Sequence, residues 1–199
     1  MPQGSFTIRL YEHVEPWDRG SRYEDPLQDA LEAAQLGTIS GGGSQLSETG
    51  QIEFADIEVD AADIDRAITT TVEVLEGAGA PEGSEIRSDD TVLRSFGKLQ
   101  CLAIYLDGVS LPDDVYANLD FDEVTTQLGE LAGQDSFRSV SQGNEETGLF
   151  FFGPNAEDMF ARVQPLLHTL PIGQNARVVI RHGRAELQPR TIRVPRQTS

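Results

Sequence analysis

Apolar positions along the chain predict strands and helices in one order that occurs twice. Residues 5–14 alternate as a strand, with Phe6, Ile8 and Leu10 on one side, until Glu15-Pro16-Trp17-Asp18-Arg19-Gly20 breaks the period. Asp25-Pro26 supplies a cap and a first-turn proline for a short helix carrying Leu27, Ala30, Leu31 and Ala34, which Gly37 ends. Thr38 to Ser40 reads as a strand running into Gly41-Gly42-Gly43. Gln51 to Val59 reads as the longer strand that pairs with it as a hairpin. Asp60 and Asp63 have capping-box spacing ahead of a helix with Ile64, Ala67, Ile68, Thr71, Val72 and Leu75, and Gly83 to Ser88 closes the set as a strand.

The second half runs through the same order. Lys98 to Leu106 is the most apolar strand, Asp120 and Glu123 cap a helix with Val124, Leu128 and Leu131, and Ser136–Ser141 with Gly148–Phe152 form a hairpin. Asn155 caps a helix with Met159, Phe160, Val163, Leu166 and Leu167, and Ala176 to Arg181 is the closing strand. Both hairpins place Ser-Gln and then Glu-Thr-Gly just before their second strand, at Ser44 to Gly50 and at Ser141 to Gly148 with one insertion. Shared residues in the same slot of two independently read orders point to an internal duplication.

The expected fold is therefore α+β, two tandem ferredoxin-like βαββαβ repeats. The first covers residues 1–88 and the second 98–183, joined by a polar linker over 89–97. A tail over 184–199 carries Pro189, Pro195 and several arginines. It reads either as an edge strand, where proline is tolerated, or as chain without order beyond about Pro195.

Composition narrows the function classes. The 199 residues include 33 Asp+Glu against 15 Lys+Arg, a net charge of -18, and 38% are hydrophobic, enough for a core in one large domain or two small ones. No apolar run reaches the length of a membrane span, and the start lacks the basic-then-apolar layout of a signal peptide, so a cytoplasmic, membrane-free protein is expected. Cys101 has no second cysteine to pair with, and His13, His168 and His182 lie too far apart for zinc spacing; no metal or cofactor is expected. The charge is lopsided: residues 1–158 hold 32 acids and eight Lys/Arg, residues 159–199 one acid and seven Arg. An acidic body repels phosphate backbones, so nucleic acid is a poor partner for most of the surface. The arginines from Arg177 to Arg196 lack interleaved aromatics, and docking of the two repeats is the simpler account of them.

Several groups of residues are candidate sites. Asp56, Glu58 and Asp60 alternate with Ile57 and Val59, which places three carboxylates on one solvent face of a strand; Asp60 and Asp63 also serve a helix start, and no EF-hand loop surrounds them. A basic protein partner would relieve their mutual repulsion. Asp113, Asp114 and Asp122 beside Tyr116 form a second acidic patch, an interface centre with a steering rim or simply a loop with a helix cap. Gly41, Gly42, Gly43 and Ser44 could present N–H groups to an anion or admit a partner backbone; a bend in the hairpin is the plainer reading, since no Lys-Ser/Thr follows. Trp17, Tyr11 and Tyr23 would line a pocket or anchor a loop. No catalytic set emerges: Cys101 sits in an apolar strand, no serine lies in G-x-S-x-G, and no spacing singles out an acid–base pair.

Asp18-Arg19-Gly20, Glu24-Asp25-Pro26-Leu27, Leu36-Gly37, Gly41-Gly42-Gly43-Ser44-Gln45, Ile52-Glu53 and Asp56-Ile57, followed by Gly79-Ala80-Pro81-Glu82-Gly83-Ser84, resemble a set of uncharacterised bacterial proteins. The resemblance covers about residues 5–88. It implies a bacterial, cytosolic, ferredoxin-like protein and carries over no functional residue. The second half lacks the triple glycine, as a diverged copy would. The expected function is a non-catalytic protein-binding module, in its most concrete form an immunity or inhibitor protein that neutralises a basic partner. A small-ligand-sensing regulator and an enzyme with a cleft between the repeats are the competing classes.

Overall fold

The structure, a computed structural model, describes residues 4–48, 50–183 and 188–196. It divides the chain into two compact units, Met1–Leu99 and Gln100–Ser199. Each is α+β, with helices on one face of a five-stranded antiparallel sheet.

In the first unit β1 (Gly4–Leu10) lies between β3 (Ile52–Ala61) and β4 (Ser84–Ser88), and β2 (Gly37–Leu46) pairs only with β3. Alternation decides the faces. Phe6, Ile8 and Leu10 of β1 and Ile57 and Val59 of β3 meet Leu27 and Leu31 of α2 (Asp25–Ala33) and Ala67, Val72 and Leu75 of α3 (Ile64–Gly77) in one buried cluster. The opposite face carries Thr7, Arg9, Asp56, Glu58 and Asp60. Asp63 caps α3 by accepting from the Arg66 N–H at 3.4 Å; Asp60 remains on β3 and takes no part in the cap.

Three expectations for this half change. The helix does not start at Asp25: the chain is already helical from α1 (Pro16–Arg19) through a π-helical segment, Gly20–Glu24, so Pro26 sits inside a continuous helical run entered at Pro16. Strand β2 extends straight through the triple glycine to Leu46, with a bulge between Ile39 and Gly41 absorbing the extra residue. Residues 89–97, expected as a linker, instead carry β5 (Thr91–Phe96), which pairs with β4 and forms the second edge of the sheet. Five of its six residues are exposed, so burial never imposed the alternation that would have marked it.

The second unit takes β6 (Gln100–Asp107), α4 (Asp113–Ala117), α5 (Phe121–Ala132), β7 (Phe137–Gln142), β8 (Glu146–Gly153), α6 (Ala156–Thr169), β9 (Arg177–Arg181) and β10 (Arg190–Arg193). Its sheet order is β10-β9-β6-β8-β7, and its core gathers Leu102, Ile104, Leu149, Phe151, Val178 and Ile180 with Leu128 of α5 and Met159, Val163 and Leu167 of α6. Asp120 and Asn155 cap α5 and α6 as their positions predict. The tail supplies β10 as an edge strand beside β9; residues 184–187 and 197–199 lie outside the described residues. Among the described residues no helix is long and apolar enough to cross a membrane.

Candidate functional site

The three carboxylates expected on the outer face of β3 separate into two kinds. Asp56 faces Arg9 across the β1–β3 ladder and accepts from its Nε at 2.9 Å and its Nη2 at 2.8 Å, while the guanidinium lies 3.7 Å from the centroid of the Phe54 ring. The Asp56 hydrogen bonds hold the Arg9 guanidinium above its ordinary value. Asp56 is thus paired within the unit while part of its side chain stays exposed; Arg9 is 47 residues away in sequence and gave no local signal. Glu58 and Asp60 are exposed, opposite Thr7 and Ser5, and form no ion pair among the described residues.

Within the triple glycine, Gly41 and Gly42 lie close to neighbouring atoms, whereas Gly43 is open. An extended strand sends successive N–H groups in opposite directions, so Gly41 to Gly43 cannot converge donors on one ion. Arg19 Nη1 donates to the Gly43 carbonyl at 2.8 Å and reaches the Ser44 hydroxyl at 3.4 Å, so this backbone meets a cation. At Gly42 a methyl group would stand 2.8 Å from the Asp56 carbonyl oxygen.

Behind Arg19 lies a buried polar group with no signature in the sequence. The Glu12 carboxylate has no exposed surface; it accepts from the Tyr23 hydroxyl at 2.5 Å and from Arg22 Nη1 at 2.9 Å. Arg19 Nε is 2.6 Å from Glu24. These contacts fasten the π-helical segment to the end of β1, and π-helical turns recur at functional positions. The aromatic trio does not share a pocket: Tyr23 is buried, Tyr11 meets Phe54 edge-on, and Trp17 is 86% exposed.

The second acidic patch is only partly as expected. Asp113, Asp114 and Asp122 are exposed, in the first turns of α4 and α5. Tyr116 packs its ring partly against the core: its oxygen accepts from the Leu111 N–H at 2.9 Å and its hydroxyl points to Asp107 at 3.4 Å. Asp114 borders a cleft of about 350 Å³ between α4, α5 and the turn Pro171–Gly173, together with Asp120 and Glu123; Asp113, Tyr116 and Asp122 do not line it. The floor is Val115, Leu119, Val124, Leu170 and Ile172. Leu170 and Ile172 come from some fifty residues further along the chain, which is why the carboxylates were visible in the sequence and the cleft was not.

Arginines of the second half find carboxylates within their own unit. Arg177 makes a two-toothed pair with Glu146 and lies 3.8 Å from the Tyr105 ring centroid, and Arg190 meets Glu157 at 3.1 Å. Both are paired with carboxylates of the second unit. Cys101 is buried and in no disulfide. No group of three or more His, Cys, Asp or Glu able to hold a metal ion occurs among the described residues.

No family model matches the chain, and no curated protein matches it. Among solved structures it is similar to one described as an unknown protein from Galdieria sulphuraria, at 11% identity and a TM-score of 0.29, over 90% of this chain and 98% of that one.

Proposed function

We propose that the chain is a tandem pair of ferredoxin-like units acting as a non-catalytic protein-binding module that docks on a basic partner, as an immunity or inhibitor protein does. The topology supports the first part. If each unit's first four sheet strands are numbered 1 to 4 in chain order, both sheets read 4-1-3-2, with one further edge strand beside strand 4.

The observation that carries the second part is how the cations of the first unit are used. Its seven Lys/Arg include Arg9, Arg19, Arg22, Arg87 and Lys98, and all five are engaged in ion pairs with carboxylates of the same unit. The carboxylates left facing solvent, Glu58 and Asp60 among them, therefore repel one another with little local relief. A cationic protein surface supplies that relief and is steered toward them.

The test is retention of proteins from source-cell lysate at low and at high salt, followed by affinity measurement with the identified partner. A basic protein released by salt is expected, bound about tenfold more weakly by Glu58→Gln/Asp60→Asn or by Asp113→Asn/Asp114→Asn. Unchanged affinity in both double variants would sink the reading.

A further inference from the structure

Asp107 builds the cleft of the second unit. At the end of β6 its carboxylate accepts from the backbone N–H groups of Val109 at 2.9 Å and Ser110 at 2.8 Å, from the Ser110 hydroxyl, and from the Asn175 amide at 3.2 Å. Tyr116 of α4 reaches the same carboxylate, and Asn175 lies two residues beyond the turn Pro171–Gly173. One half-buried carboxylate therefore bonds both α4 and the chain beyond that turn, two walls of the cleft.

Floor and rim differ in chemistry. The floor is aliphatic, with Val124 and Ile172 almost fully buried and Val115, Leu119 and Leu170 half-buried. The rim carries Asp114, Asp120 and Glu123. Asp120 spends one oxygen on the Glu123 N–H at 3.0 Å, and Glu123 accepts from Gln127 at 3.0 Å, which leaves lone pairs on both carboxylates turned to solvent. Among the described residues no Lys or Arg lines the cleft. Its 350 Å³ lies at the small end of ligand-sized clefts, roughly 300–1,000 Å³, room for one long side chain with its flanking backbone.

We propose that this cleft receives one arginine side chain of the basic partner, an inference that rests on the binding-module reading. The methylene stem lies on Val115, Leu119 and Leu170, and the guanidinium stays at the mouth among Asp114, Asp120 and Glu123. An aliphatic stem with a charged tip is the one side-chain form that matches an apolar floor under an acidic rim. Arginine fits better than lysine because its planar fork serves several carboxylates at once and is more weakly hydrated.

The test is methyl and amide NMR of the full chain titrated with acetyl-glycyl-arginyl-glycinamide, and separately with the citrulline tripeptide, which has the same shape without the charge. The arginine peptide is expected to shift Val115, Leu119, Leu170 and Ile172. Asp114→Asn/Glu123→Gln should weaken it about tenfold, with the rest of the spectrum unchanged, and citrulline should not bind. Equal binding of both peptides, shifts confined to Glu58 and Asp60, or no shift at all would each overturn the cleft assignment. So would cleft shifts that follow protein concentration without peptide, which would mark a second copy as the occupant. A basic partner weakened by Glu58→Gln/Asp60→Asn but not by Asp114→Asn/Glu123→Gln would remove the cleft while leaving the binding-module reading in place.

Discussion

Arg19 donates from Nη1 to the carbonyl oxygen of Gly43 at 2.8 Å, so a side chain from the helical run that follows β1 is bonded to the backbone of the edge strand β2. A second such contact lies four residues away, where the Ile39 N–H donates to Gln28 Oε1 at 2.7 Å. Edge strands template pairing with other chains, and β2 carries neither Lys nor Pro to discourage it. Arg19 and Gln28 cap two of the groups that such pairing would use. Arg19→Ala leaves Glu24 and the Gly43 carbonyl without their donor and should cost about 2 kcal/mol by urea denaturation. Arg19→Ala/Gln28→Ala should in addition self-associate with rising concentration in sedimentation velocity. A sedimentation profile unchanged from the wild type would show that these contacts do not guard the edge.

The glycines of that strand should respond very differently to the same change. A Cβ on Gly42 would lie 2.8 Å from the Asp56 backbone oxygen, with Glu24 Oε1 at 3.4 Å and Arg19 Nη2 at 3.5 Å, whereas one on Gly43 would meet nothing within 4 Å. Gly42→Ala is therefore expected to destabilise by about 1–3 kcal/mol through backbone displacement. Gly43→Ala should stay within about 0.5 kcal/mol of the wild type. Equal effects in thermal unfolding would mean that the triple glycine is needed for something other than this approach.

Glu12 and Tyr23 form a buried polar contact in the first unit, at 2.5 Å, with Arg22 on the other carboxylate oxygen. Removing the carboxylate leaves a buried phenol and a partly buried cation; removing the hydroxyl leaves a carboxylate that still has Arg22. Glu12→Ala should cost about 3 kcal/mol and Tyr23→Phe about 1–2 kcal/mol. The double variant should lose less than the two single losses combined, because both act on one network. Additive losses would show that the two groups are independent.

Burial governs how much of this could be read from the chain. Phe6, Ile8 and Leu10 announce β1 because one face of that strand is in the core, and Asp63, Asp120 and Asn155 announce helix starts because a cap is a local contact of two or three residues. Strand β5 has Val92 and Leu93 exposed side by side and offers no such period. The continuation of helix through Gly20–Glu24 depends on Glu12 and Gly43 holding Tyr23 and Arg19, contacts that no short window contains. Asp56 was legible as an acid on a solvent face, yet only the β1–β3 register brings Arg9 to it. The carboxylates of Asp113–Asp122 were likewise visible, and the cleft some of them border depended on chain folding back from Leu170.

Acid should loosen the second unit through Asp107. Burial by itself would raise the pKa of this carboxyl, but hydrogen bonds from the Ser110 hydroxyl and N–H, the Val109 N–H and the Asn175 amide together hold it well below the usual carboxylate range. A group whose folded value lies below its unfolded value, about 3.9 for aspartate, stabilises the fold fully above that unfolded value. The contribution declines as pH falls from there toward the folded value. Asp107→Asn replaces one acceptor oxygen by a donor facing donors, so the variant should be clearly less stable than wild type at pH 7. The gap should narrow steadily below about pH 4, as the wild-type carboxylate takes up its proton on unfolding. Urea midpoints at pH 7 and pH 3 measure this directly. A gap of equal size at both values would mean that Asp107 acts through shape alone, and the α4 wall of the cleft would then owe its position to packing and not to the charge of its anchor.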